Sequence, residues 1–210
     1  MCSVQVRIDC CLQLLGPDPR GALQFIDSLG LYPTIFANHQ DDAQADTSSW
    51  ALAYNALEKI LKDETNAATV NVRQFLIRDK LESYYAWMIA AFAPWSSIPS
   101  RVARGPKAKP LPARTAEVAR DSLRADNKTI AVIGDAAYNW QAITDVKNSV
   151  LEGRMDGTAA EARQQVGLHI RSWKKDWRLC ILLSILQEIM RGGEFTSGKN
   201  FSMPVVLIRN

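Results

Sequence analysis

Lysine and arginine side chains crowd one stretch of the sequence, and the chemistry available to such a cluster is the binding of phosphate. Residues 98–130 carry 8 Lys or Arg against 3 Asp or Glu, whereas residues 1–69 carry 4 against 9. Clustered cations attract nucleic-acid phosphates and release their counterions without base-specific contacts. The candidate RNA contacts in this stretch are Arg101, Arg104, Lys107, Lys109, Arg114, Arg120, Arg124 and Lys128.

A second basic stretch, residues 163–191, carries 6 Lys or Arg against 2 Asp or Glu. It supplies a weaker set of candidate RNA contacts: Arg171, Lys174, Lys175 and Arg178. An ordinary solvated surface is the alternative for both sets. In particular, Arg120 and Arg124 could pair with Glu117 and Asp121 on one helix face instead of binding phosphate.

Metal chemistry is not indicated by the sequence. The four cysteines (Cys2, Cys10, Cys11 and Cys180) form no CxxC spacing, and the two histidines are far apart in the chain. Reduced thiols in an intracellular protein are the expected state. The acidic stretch 41–46 lacks the central glycine and terminal glutamate of a calcium loop, and we expect a solvated loop there.

The elements that must position the basic residues are helices. Asp18 is a fitting N-cap, Pro19 fits the first helical position, and Gly30 suits the left-handed residue that ends a helix. Further helices are predicted at 50–63, 70–79, 81–92, 114–126, 129–137, 140–151 and 158–172, and for the apolar run that ends at Met190. The fold class is therefore all-α, an irregular helical array of about eight to ten helices.

Two details of these helices affect the site. On a helix over 114–126, Arg120 and Arg124 would share one face and reach successive phosphates. The aromatic residues between 84 and 95 could form a base-stacking platform, although their many aliphatic neighbours favour a place in the core.

The five prolines between 94 and 112 predict a linker. The apolar run 179–190 is too short to span a bilayer, and we expect no membrane partner.

Three segments also resemble a known family. They are Gly-Pro-Asp-Pro-Arg-Gly-Ala-Leu with the turn that follows it (16–36), the helix Ala116 to Lys128, and the Trp-rich start and apolar body of 173–190. They look like the neck–body junction and body of eukaryotic-type tRNA nucleotidyltransferases, the CCA-adding enzymes of the poly(A) polymerase superfamily (class II). The resemblance divides the chain into a neck remnant (1–36), a helical body (37–191) and a tail outside the family pattern (192–210).

The resemblance implies a role in tRNA 3′-end processing, with the acceptor arm of tRNA as partner. The family holds Mg²⁺ with an Asp-x-Asp pair in a catalytic head and selects CTP or ATP with a Glu-Asp-x-x-Arg segment. Neither motif occurs in this sequence. We therefore expect this chain to hold no cofactor and no catalytic residue, and to be inactive alone.

Two other functions stay open at this point. The chain could be a non-enzymatic helical module that binds a protein partner or itself through exposed apolar surface. It could also be a degenerate gene fragment. The resemblance is compatible with mitochondrial, nuclear and cytosolic locations.

Overall fold

A computed structural model of the chain describes residues 14–37, 43–62, 72–102, 111–154 and 159–192. Within these ranges the chain forms nine α-helices and no strand, which confirms the all-α prediction. The helices are α1 (Pro19–Ser28), α2 (Tyr32–Ile35), α3 (Trp50–Lys62), α4 (Val72–Leu76), α5 (Lys80–Phe92), α6 (Arg114–Leu123), α7 (Asn127–Leu151), α8 (Ala159–Ser172) and α9 (Trp177–Met190). A 3₁₀ turn, Ala93–Ser97, follows α5 directly. The predicted tail, 192–210, lies almost wholly outside the described residues.

The ends of α1 follow the predicted chemistry. The Asp18 carboxylate accepts a hydrogen bond from the backbone N–H of Gly21 at 2.9 Å, and Pro19 occupies the first helical position. Gly30 has a φ of 62°, in the left-handed region that a side chain disfavours. The chain then turns back, so that Tyr32 is buried and its hydroxyl donates to the carbonyl of Ala91 on α5 at 3.0 Å.

Helix α9 is the centre of the core. It packs against α7, α3 and α5, and most of its side chains are buried. A helix that is surrounded by other helices needs apolar residues on most of its faces. Its buried amide, Gln187, donates to the carbonyl of Ala93 at 2.7 Å, which satisfies a polar group inside the core. The thiol of Cys180, also on α9, is buried, and burial raises its pKa to about 12.

Helix α7 differs from the prediction. The sequence predicts two helices, 129–137 and 140–151, whereas the structure has one helix of 25 residues from Asn127 to Leu151. The intervening residues contain no proline, and the side chain of Asn139 donates to the carbonyl of Asp135 at 2.8 Å within the helix. Because nothing interrupts the backbone hydrogen bonds, the helix continues through this position.

Two further predictions about helices are corrected. The helix predicted over 114–126 ends at Leu123, and Arg124 adopts a left-handed φ of 51° beyond it. The four-residue spacing of Trp173 and Trp177 predicts that they share one helix face, but they do not lie in one helix, because α8 ends at Ser172 and α9 begins at Trp177. Of the two tryptophans, Trp173 is the buried one, and its ring stacks on His169 with centroids 6.0 Å apart.

The rest of the core is one continuous cluster. Tyr32, Phe36, Trp50 and Phe92 meet in an aromatic group that joins α2 and its C-cap residue to α3 and α5, with centroid distances of 4.5–6.0 Å. The indole N–H of Trp50 donates to the carbonyl of Ala90 at 2.9 Å. Among the residues that the structure describes, no helix is long and apolar enough to cross a membrane.

Candidate nucleic-acid interface

Three exposed cations lie at the junction between α6 and α7. Arg120 is in the last turn of α6, Arg124 follows that helix in the left-handed conformation, and Lys128 is in the first turn of α7. The left-handed residue lets the N–H of Ala125 reach back to the carbonyl of Ala119 at 3.1 Å. Since α6 ends before Arg124, the two arginines do not share a helix face, but all three cations stand at one corner of the fold.

One of the two acidic residues at this corner is hydrogen-bonded to the backbone, and the other, Asp121, is half-buried. Asp126 is the N-cap of α7 and accepts from the N–H groups of Lys128 at 2.9 Å and Thr129 at 3.1 Å. Burial alone would raise the pKa of Asp126, but the hydrogen bonds from Thr129 and Lys128 outweigh it and lower the pKa. Its charge is thereby directed to the helix N-terminus.

Lys128 is held in place by an aromatic ring. Its ammonium lies 5.3 Å from the ring centroid of Tyr85, a buried residue of α5. Such a contact fixes the stem of the side chain and leaves the charge at the surface. Sequence reasoning missed this support because the two residues are 43 positions apart and neither carries a local signal of the contact. Neither Arg120 nor Arg124 forms an ion pair within the described part of the chain.

Two predicted cations are used inside the protein instead. Arg101 Nη2 lies 2.9 Å from Glu117 Oε1, and Arg114 Nη1 lies 3.5 Å from Glu117 Oε2. Arg114 also donates through Nε to the carbonyl of Pro99 at 3.2 Å. Glu117 is only 5 % exposed. The alternative in which Glu117 pairs with Arg120 or Arg124 is therefore not what the structure has.

Three members of the first set cannot be placed. Arg104, Lys107 and Lys109 lie outside the described residues. Their contribution to RNA binding stays a prediction from composition alone.

The second basic set has two exposed and two engaged members. Arg171 and Lys175 are exposed. Lys174 has a left-handed φ of 64°, and its ammonium lies 2.7 Å from Asp135 Oδ1, a hydrogen bond and ion pair that raise its pKa. Asp135 is seven residues beyond Lys128, which is about 10 Å along α7. This ion pair therefore brings the loop of the second set beside the first half of α7.

Arg178 is packed between two aromatic rings. Its guanidinium lies 4.6 Å from the ring centroid of Trp177 and 5.5 Å from that of Phe75. Burial, and then the nearby charge of Arg78, lower its pKa. The stacking gives Arg178 a structural role on the α4–α9 contact, so it is less available to a polyanion than the exposed members of its set.

The geometry of the exposed cations suits electrostatic binding of a polyanion. Within the described residues, no group of three or more His, Cys, Asp or Glu side chains could hold a metal ion. The exposed cations Arg120, Arg124, Lys128 and Lys175 all lie near the first half of α7 or the α6–α7 junction. Comparison with known proteins finds no matching family model, no matching curated protein and no matching solved structure.

Proposed function

We propose that this chain is a helical tRNA-binding module that resembles the body of CCA-adding tRNA nucleotidyltransferases and contacts the acceptor arm without catalysing nucleotide transfer. The observation that carries the proposal is the corner formed by Arg120, Arg124 and Lys128, where three exposed cations stand together and the carboxylate of Asp126 is turned to a helix cap. The segment that supplies these residues is also one of the three that resemble the family.

The binding would be electrostatic and largely independent of sequence. Each phosphate neutralised by Lys or Arg releases counterions, and the logarithm of the affinity falls with the logarithm of salt with a slope of about −0.9 per contact on a duplex. Three contacts at this corner would give a slope of about −2 to −3. Because A-form RNA is bound mostly through its backbone and shape, no base-reading side chain is required.

Charge reversal at the corner tests the proposal. We expect Arg120→Glu with Arg124→Glu to weaken tRNA binding about tenfold or more at low salt and to flatten the salt dependence, since two phosphate contacts become repulsions. The measurement is fluorescence anisotropy of labelled tRNA at about 50 and about 200 mM salt. The matched control is Lys59→Glu, an exposed lysine of α3 away from the corner.

Two outcomes would contradict this function. Wild-type protein that shows no salt-dependent affinity for tRNA would remove the electrostatic basis of the proposal. Incorporation of CTP or ATP into tRNA lacking its terminus, by the purified chain alone, would contradict the absence of catalysis.

A second candidate function, association with a protein partner or with another copy, is favoured by a separate observation. Phe25 and Leu29 are 63 % and 54 % exposed and lie four residues apart across the end of α1, so they form an apolar pair on one side of the helix. Sedimentation of the wild type and of a Phe25→Asp, Leu29→Asp variant tests it. A monomer in both cases over a wide concentration range would count against self-association.

A further inference from the structure

An open groove of about 290 Å³ lies between the start of α1, the end of α3 and the start of α5. Leu14 and Leu61 contribute apolar walls, and Tyr84 and Trp87 contribute aromatic ones. Three cations, Arg20, Lys62 and Lys80, also line it. A concave site that combines apolar walls with a few polar groups is the form that ligand sites usually take, and this volume is at the lower end of the usual range of about 300–1,000 Å³.

The aromatic side of the groove is suited to a flat ring. Tyr84 and Trp87 are three residues apart on α5 and therefore share one face of the helix. Trp87 is only 5 % exposed, yet its indole N–H makes no hydrogen bond within the part of the chain that the structure describes. The N–H itself is accessible to solvent at the groove, where it can donate to a ligand. Tyr84 is half-buried beside it.

The charges of the groove favour an anion. The carboxylate of Glu58 is neutralised twice, by Lys62 Nζ at 2.7 Å and by Arg20 Nε at 3.4 Å. Asp18 is engaged by the N–H of Gly21. Lys80 is exposed and forms no ion pair with any described residue, so the three cations exceed the two carboxylates by one charge.

The helix directions add to this charge. Both α1 and α5 begin at the groove, where Asp18 and Asp79 cap them, and the uncapped N–H groups of their first turns favour a bound anion. An aromatic wall beside an unpaired ammonium fits a group that is flat at one end and anionic at the other. An acidic peptide could engage the cations and the indole donor, but its acidic side chains and backbone would offer no flat ring to stack on Tyr84.

We propose that the groove holds one unpaired nucleotide of a bound RNA, with its base stacked on Tyr84, the edge of the base at the indole N–H of Trp87, and its phosphate at Lys80. This site deepens the proposed function and rests on it, because it supplies a second, single-stranded contact beside the electrostatic corner at α6–α7. Stacking on aromatic side chains tolerates every base, and a basic rim tracks the backbone. A volume of about 290 Å³ holds one nucleotide, and the open mouth of the groove lets the strand continue beyond it.

The first test is binding of a fluorescein-labelled five-nucleotide single-stranded RNA, followed by anisotropy. We expect Lys80→Glu and Tyr84→Leu each to weaken binding about tenfold, by loss of a phosphate contact and of a stacking surface respectively. Lys59→Glu is the matched control on the neighbouring helix and should change the affinity little. Glutamate in the first turn of α5 suits the helix dipole, and circular dichroism of each variant checks that the fold is kept.

The second test locates the RNA on the protein. An oligonucleotide carrying 4-thiouridine is crosslinked by light, and the modified peptides are identified by mass spectrometry. We expect crosslinks within 80–87, and crosslinks confined to 111–130 would overturn the proposal. Competition experiments distinguish RNA from other anionic ligands. If free AMP or CMP displaces the labelled RNA at the same concentration as the unlabelled oligonucleotide does, RNA is not the occupant of the groove. The same conclusion follows if an acidic peptide displaces the RNA from this groove.

Failure of this inference can be told apart from failure of the proposed function. If tRNA binds and only the Arg120→Glu, Arg124→Glu variant weakens it, the groove proposal fails and the proposed function stands. If the five-nucleotide RNA binds and depends on Lys80 and Tyr84, while tRNA binding is indifferent to Arg120 and Arg124, the groove stands and the electrostatic corner fails.

Discussion

Glu117 shows how one buried carboxylate decides which of the basic residues remain available. It holds Arg101 at 2.9 Å and Arg114 at 3.5 Å, of which the first lies within the linker and the second just after it. Arg120, three residues further along the same helix, is exposed. Composition identifies all of these cations together, but only the tertiary contacts separate the structural pair from the exposed one.

Removal of Glu117 should therefore destabilise the fold. We expect Glu117→Ala to lower the free energy of unfolding by about 2–3 kcal/mol, because two guanidinium groups lose their counter-charge, one of them well buried. The measurement is urea denaturation, with the midpoint lowered and the slope kept. Glu58→Ala is the control: its two ion pairs are more exposed, and its cost should stay below about 1 kcal/mol. Equal losses in the two variants would contradict a special role for Glu117.

Glu82 gives the protein a sensitivity to acid. Its carboxylate accepts from the N–H of Arg78 at 2.7 Å and from the Arg78 guanidinium Nε at 2.8 Å. Burial would raise the pKa of Glu82, but the bonds from Arg78 outweigh it and lower the pKa below the ordinary value of 4.5. A group with a lowered folded-state pKa stabilises the fold above its unfolded-state pKa, and this contribution is lost as pH falls through the folded-state value.

The pH dependence of stability checks this sign. Between about pH 5 and pH 3, we expect thermal stability to fall more steeply in the wild type than in Glu82→Gln, which has no carboxylate to protonate. Glu152→Gln, at an exposed position at the end of α7, serves as the control and should keep the wild-type slope. A slope for Glu82→Gln as steep as that of the wild type would show that other carboxylates carry the acid response.

At the scale of helices, the contact between α6 and α7 is close enough to restrict one glycine. A Cβ at Gly134 would lie 3.2 Å from the Cβ of Ala116, tighter than an ordinary contact, whereas a Cβ at Gly167 on α8 would meet nothing within 4 Å. Small residues on facing helices allow the backbones to approach, and larger ones force them apart. Both glycines lie within helices and differ in the space around them, so substitutions at the two positions can be compared directly.

Substitution by leucine should change the stability of the protein in opposite directions at the two glycines. We expect Gly134→Leu to cost about 1–3 kcal/mol through overpacking. Gly167→Leu should stabilise the protein by up to about 1 kcal/mol, because leucine forms helix better than glycine and finds open space. Denaturant midpoints of the two variants measure the difference. Destabilisation of similar size in both would mean that glycine is needed for a reason other than the α6–α7 distance.

Helix ends were predictable where a local side chain makes them. Asp18 and Gly30 bound α1 as expected, because an N-cap and a left-handed glycine act within three residues of the position they mark. The end of α6 was not predictable in this way, since Arg124 adopts the left-handed conformation without being glycine or asparagine. The prediction of two helices in place of α7 was wrong for the converse reason: no glycine or proline marks a helix end at 138 and 139, and the helix continues through them.

At the scale of the whole molecule, apolar periodicity was enough to predict an all-α fold but not the order of packing. The contacts of α9 with α3, α5 and α7 depend on side chains far apart in sequence, such as Gln187 reaching Ala93 across 94 positions. The groove could not be predicted from the sequence for the same reason. Tyr84 and Trp87 were visible as aromatics, but their partners on the start of α1 and the end of α3 come together only in the folded chain.

The buried thiol of Cys180 has a practical consequence as a reporter of motion. Only a thiolate reacts with alkylating reagents, and a pKa of about 12 within the core leaves almost none at neutral pH. In a variant with Cys2, Cys10 and Cys11 replaced by serine, any labelling must therefore pass through a transient opening around α9. The labelling rate would then measure the free energy of that opening, and its slowing when RNA is added would report, without any dye or tag, whether RNA stabilises the central helix.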